Sequence, residues 1–131
     1  MNRRRFLTGG AGLLACHLVQ AKESAPRVGC QANGYPLKAG DFPALLRALE
    51  NMKTLGYIGF ECNTRFVEGQ FGRVAEARRE IEKTGVEFIG AHYSMKQAQA
   101  GTFPQVVEGV AALGARAIVM SASGLSPAGK F

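Results

Sequence analysis

The sequence predicts an α/β fold, a parallel sheet built as βαβαβαβ. Three observations predict it. Gly56, Gly85 and Gly114 recur every 29 residues, and each closes a helical stretch and precedes a short apolar strand. A period of about thirty residues written as helix, glycine, strand is one αβ unit of a parallel sheet. The strands are nearly continuous in apolar residues, as strands covered on both faces are, while the helical stretches carry one apolar stripe each.

The elements follow in order. Arg27 to Gln31 reads as a first strand, β1, followed by the loop Ala32-Asn33-Gly34-Tyr35-Pro36. Asp41 is a good N-cap, with Phe42 and Pro43 in the first helical turn. Phe42, Leu45, Leu46, Leu49, Met52 and Leu55 make the stripe of helix α1, which stops at Gly56. Tyr57 to Cys62 is β2, and 63–70 is a loop. Helix α2 runs from about Phe71 to Thr84, with Val74, Ala77 and Ile81 as a thin apolar face. Val86 to His92 is β3, and Tyr93 to Gly101 is a longer loop. Thr102 opens helix α3 with Gln105 three residues on, a capping-box pattern. Ala117 to Ser121 is β4, and Ser123 to Phe131 is a turn-rich tail.

The chain has 131 residues, 47% of them apolar, enough for one packed domain. Its net charge is +6, but Arg3, Arg4 and Arg5 account for half of it. From Lys22 onward thirteen basic residues are interspersed with ten acidic ones, a pattern with no nucleic-acid stripe. Cys30 and Cys62 read as small buried apolar residues in preference to a disulfide. No phosphate loop, GxSxG, CxxC, HExxH or dinucleotide fingerprint is present.

Residues 1–21 read as an export leader, outside the fold. Asn2-Arg3-Arg4-Arg5-Phe6-Leu7-Thr8 resembles a twin-arginine signal, a partner of the twin-arginine export machinery. The run from Phe6 to Val19 is too short and too rich in glycine for a membrane span. Val19-Gln20-Ala21 resembles a cleavage site, giving a mature start at Lys22, a linker over 22–26 and a domain over 27–131. This implies a periplasmic protein. Leu13-Leu14-Ala15-Cys16 also approximates a lipoprotein box, which would instead anchor the chain through Cys16.

The strand ends carry the chemistry. They read Gly29-Cys30-Gln31, Gly59-Phe60-Glu61, Gly90-Ala91-His92 and Val119-Met120-Ser121. Side chains alternate along a strand, so each glycine faces the same way as the polar residue two positions on. Polar residues at the C-terminal rim of a parallel sheet are where α/β enzymes place their sites. Glu61 and His92 are the catalytic candidates. A carboxylate and an imidazole on neighbouring strands can share a divalent metal, act as a base and its orienter, or form a plain hydrogen-bonded pair. Gln31, Asn33 and Ser121 are candidate substrate contacts, and His92 is the candidate metal ligand. Tyr93 and Lys96, in the expected loop after β3, are weaker candidates.

The phrases Leu55-Gly56-Tyr57-Ile58-Gly59-Phe60-Glu61 and Gly85-Val86-Glu87-Phe88-Ile89-Gly90-Ala91-His92, after Val28-Gly29-Cys30-Gln31, resemble the sugar phosphate isomerase/epimerase family of xylose isomerase-like TIM barrels. The resemblance spans 27–123. It implies the first half of a TIM (β/α)8 barrel, with a divalent metal ion (Mn, Mg, Co or Zn) at the C-terminal rim and a small carbohydrate substrate. The implied chemistry is proton transfer next to a carbonyl in a sugar, sugar phosphate or polyol. Glu61 matches the family's β2-end glutamate and His92 its β3-end histidine. The main metal ligands of the family lie on later strands, which are expected beyond Phe131. Such a barrel takes about 250 residues, whereas 110 follow the expected cleavage point. The expectation is therefore an N-terminal part of a longer enzyme, inactive alone. A non-catalytic periplasmic carbohydrate-binding barrel, or a hydrolase or lyase of the same superfamily, is the alternative.

Overall fold

The computed structural model describes residues 26–94 and 101–121. The leader with Cys16, residues 22–25, Lys96 and the stretch from Ala122 to Phe131 lie outside the described residues, as does the side chain of Ser121 itself. The expected turn-rich tail ending at Phe131 therefore has no structural counterpart among them.

Four strands, β1 (Gly29–Gln31), β2 (Gly59–Asn63), β3 (Glu87–Ser94) and β4 (Ala117–Ser121), form one parallel sheet in the order β1-β2-β3-β4. Helices α1 (Phe42–Thr54), α2 (Val74–Lys83) and α3 (Phe103–Ala112) alternate with them. Each strand lies beside its neighbour in sequence, with no reversal of order. That is how strands follow one another around a (β/α)8 barrel, and it differs from a doubly wound sheet.

The periodic glycines end the helices as expected. Gly56, Gly85 and Gly114 all have positive φ, at 89°, 72° and 108°. After α1 the Gly56 and Tyr57 amides donate to the carbonyls of Lys53 and Met52; after α3 those of Gly114 and Ala115 donate to Ala111 and Val110. This is the paired closure that uses up a helix's last free carbonyls. After α2 the Thr84 side chain takes one of the roles: its hydroxyl donates to the Ile81 carbonyl and accepts from the Val86 amide.

The core lies between the sheet and the helices. Phe60, Cys62, Phe88, Ala91 and Tyr93 point outward from the strands and are at most 4% exposed. Leu45, Leu49 and Met52 of α1, Ile81 of α2 and Val106 and Val110 of α3 meet them. Phe60 and Phe88 stack with ring centroids 4.7 Å apart. Cys30 and Cys62 are free thiols, the second fully buried. Among the described residues no helix is long and apolar enough to cross a membrane.

Four local expectations change. Residues 32–34 and 64–66 form 3-10 turns within expected loops. The stretch before α2 is also a 3-10 turn, Glu68–Arg73, so the α-helix begins three residues later than its apolar spacing suggested. Arg73 braces this junction with bonds of 2.7 Å to Gln70, Glu76 and Glu80. The Asp41 carboxylate caps α1 by accepting from the Ala44 amide at 3.0 Å, as expected, but the Thr102 side chain makes no cap for α3. Its hydroxyl instead bonds the Tyr93 hydroxyl at 3.0 Å. Tyr93 is accordingly not a rim-loop residue: it belongs to β3 and is 1% exposed under α3.

Candidate functional site

The face of the sheet opposite the helices carries glycine and polar residues on β1 to β3, with Ile89 of β3 and Ala117 and Val119 of β4 as its apolar members. Partners in a parallel ladder face the same side, so the register sorts this inner face into rungs. The lowest holds Gly29, Gly59 and Glu87. The next holds Gln31, Glu61, Gly90 and Ala117. Above it stand Asn63, His92 and Val119, and above those Ser94 and Ser121. The strand-end residues thus do not form one level ring. Gln31 and Glu61 share a rung, His92 stands one rung higher and Ser121 one higher again.

A β-bulge makes this arrangement. Phe60 pairs with Phe88, but Glu61 pairs with Gly90, leaving Ile89 as the extra residue. With an unbroken register Glu61 would face Ile89, and strict alternation would then turn His92 outward into the helix layer. One inserted residue restores the parity, so Phe88 and Ala91 both face the core while His92 faces the open side. The displaced Ile89 side chain folds across the lowest rung. A Cβ built on Gly59 would stand 2.2 Å from Ile89 Cδ1, and one on Gly29 3.2 Å from it. The two strand glycines therefore make room for the floor of the site.

Above that floor three side chains converge. His92 Nε2 lies 2.9 Å from Glu61 Oε2 and 3.1 Å from the Gln31 amide nitrogen. An imidazole nitrogen holds either a proton or a lone pair. With the proton it donates to Glu61; with the lone pair it accepts from Gln31. The ring nitrogen is held between an acceptor and a donor, which suits it to carry and release a proton. The His92 side chain is 16% exposed and that of Glu61 39%. The second carboxylate oxygen, Oε1, lies over Gly90, where a Cβ would come within 3.5 Å of it. The missing side chain at Gly90 leaves that oxygen approachable.

The other candidates fall elsewhere. The Asn33 side-chain oxygen accepts from the Asn63 amide at 3.0 Å and ties the turn after β1 to the end of β2. Ser121 is at the last rung of β4, opposite Ser94. Asn63, within the expected loop 63–70, belongs to β2 and stands beside His92; carrying strand alternation two residues past Glu61 would have found it. A cavity of about 380 Å³ opens at the other end of the strands, among Ile81, Val86, Phe88 and Leu113. Its charged rim is self-paired, Arg78 with Glu82 and Arg116 with Glu87, and it lies far from the C-terminal rim where parallel sheets carry chemistry.

Among the described residues no three His, Cys, Asp or Glu side chains form a metal cluster. Glu61 and His92 nonetheless offer a carboxylate and an imidazole, donors suited to Mn, Mg, Co or Zn ions. The 2.9 Å between Oε2 and Nε2 also matches two adjacent ligands at bond lengths of about 2.1 Å. These residues fit part of such a coordination shell.

No protein family, curated protein or solved structure matches the chain.

Proposed function

We propose that this chain carries part of the active site of an exported isomerase or epimerase, which moves a proton next to the carbonyl of a sugar, sugar phosphate or polyol. The observation that supports this reading most is the contact of Glu61 with His92 at 2.9 Å, beside Gln31, on the open face at the C-terminal ends of β1 to β3. Glu61 Oε1 takes a proton from the carbon next to the carbonyl, the C–H electron pair moving to the carbonyl oxygen to give an enediolate, and then returns the proton to one of the two carbons. Oε2 stays bonded to His92, which fixes the carboxylate in one orientation. The His92 Nε2–H proton is spent on that bond, and the Gln31 amide orients a neighbouring hydroxyl of the substrate. A divalent ion bound at Glu61 and His92 would take the place of the Nε2 proton and would polarise the carbonyl.

The test uses the full-length gene product in D2O with aldoses and ketoses, supplied in turn with Mn, Mg, Co and Zn ions. Deuterium should enter at the carbon next to the carbonyl, read by NMR, and Glu61→Gln should abolish its entry. Absence of exchange with every sugar and every ion, or exchange undiminished in E61Q, overturns the reading.

A further inference from the structure

The inner face carries a chemical gradient that proton transfer alone does not use. The rung through His92 reads Asn63, His92, Val119 across β2, β3 and β4. The rung below reads Gln31, Glu61, Gly90, Ala117. On both, amide or carboxylate groups stand on the β1–β2 side and a bare alkyl group on the β4 side. Neighbouring strands are about 4.8 Å apart, so Val119 flanks His92 as closely as Asn63 does. Ile118 packs against the core beneath the helices, so alternation turns Val119 to the inner face, where it is 39% exposed. On the other flank, Asn63 Oδ1 accepts from the Arg65 amide at 3.1 Å. That bond fixes the Asn63 side chain and leaves its NH2 group as a donor.

We infer that Val119 is a specificity-determining residue of this site: it forms an apolar wall beside His92 that selects a carbohydrate turning a C–H, methylene or methyl carbon, and not a hydroxyl, toward β4. The inference rests on the carbohydrate reading above. Hydroxyls along the opposite edge of the ligand meet Gln31, Glu61 and Asn63, which supply both donors and acceptors. A hydroxyl turned to the isopropyl group of Val119 meets neither. An apolar wall of this kind discriminates against an added hydroxyl by roughly ten- to a hundredfold.

The experiment measures binding of D-glucose and its 3-deoxy, 4-deoxy and 6-deoxy analogues to the full-length protein by calorimetry. The wild type should bind at least one deoxy analogue more tightly than glucose. Val119→Thr keeps the branched shape and the strand preference while adding a hydroxyl, and should shift that ratio toward glucose by about tenfold. Val119→Ala, a second variant in case the first does not fold, should weaken the favoured deoxy analogue more than glucose. If the wild type binds sugars but both variants keep its ratios, Val119 sets no specificity and the inference falls while the carbohydrate reading stands. If the wild type binds none of the four sugars, both fall together.

Discussion

Phe60 and Glu61 are adjacent in the chain and occupy opposite environments. Phe60 is fully buried and stacked on Phe88, whereas the Glu61 side chain keeps 39% of its surface exposed and reaches His92. The same division runs along β1, β2 and, apart from Ile89, β3, while the inner face of β4 carries Ala117 and Val119. One face spends its side chains on contact with the helices, and the other keeps glycines and polar groups where space and solvent are needed. The two faces therefore answer differently to mutation: damage to the outer face should appear in stability, and damage to the inner face in the chemistry of the rim.

The largest effect should come from the outer face. Phe60→Ala removes a buried ring and its stacking partner's contact, and should cost about 3–5 kcal/mol. Glu61→Gln, one residue on, should change stability by less than about 1 kcal/mol while abolishing proton exchange. Urea unfolding of the two variants reads the contrast directly; equal losses in midpoint would erase the distinction between the faces.

Glycines allow a sharper version. A Cβ on Gly109 in α3 would stand 2.5 Å from the ring of Phe71, and one on Gly59 would stand 2.2 Å from Ile89 Cδ1. By distance alone Gly59→Ala is the worse clash. Phe71, in the turn before α2, lays a rigid ring on α3, however, while Ile89 is a flexible chain on the open face and can swing away. Gly109→Ala should therefore cost about 1–3 kcal/mol, and Gly59→Ala less. The penalty at Gly109 should shrink in the double variant with Phe71→Ala, a coupling measurable in a double-mutant cycle.

The two faces also differ in how far the sequence reveals them. The alternation of parallel strands with helices, the helix stripes and the glycine stops were legible because they repeat locally, and Gly56, Gly85 and Gly114 each stop a helix with a positive-φ glycine. Glu61 and His92 were legible as rim residues because glycine, apolar, polar recurs at strand ends. The bulge at Ile89 was not, since a count of alternating residues does not say which residue goes unpaired. The stagger between Gln31, His92 and Ser121 follows from that pairing and was hidden with it. Thr102 misled for a different reason. Its spacing to Gln105 has the form of a capping box, but a tertiary partner, Tyr93, took its hydroxyl instead.

Cysteine chemistry probes the outer face further. Burial pushes the Cys62 thiol from 9.0 up to about 12. A thiol with a raised folded-state pKa binds protons that the unfolded chain releases, so it stabilises the fold fully below about pH 9 and loses that contribution between there and about pH 12. Cys62→Ala should flatten the fall in stability across that window, measured by thermal melts at stepped pH. At neutral pH iodoacetamide should modify Cys30, which is only partly buried, well before Cys62. Peptide mass mapping that found Cys62 modified first would show that the helix layer opens more readily than its packing indicates.

The smallest effect belongs to the N-terminal ends of the strands. Glu87 at the start of β3 faces Arg27 at 3.5 Å and Arg116 at 3.4 Å, linking the approaches to β1 and β4. A bridge across three strands has the form of a brace. The side chains are 71%, 49% and 77% exposed, though, and ion pairs in water gain little because attraction and the cost of ordering long side chains nearly cancel. Arg116→Ala should change stability by no more than about 0.5 kcal/mol, and about 0.5 M salt should reduce even that. The backbone explains why so little is lost, since the Arg116 amide itself donates to the Ile89 carbonyl at 3.0 Å and survives the substitution. A loss several times larger would mean that charge at this end, and not the apolar layer above it, holds β4 to β3.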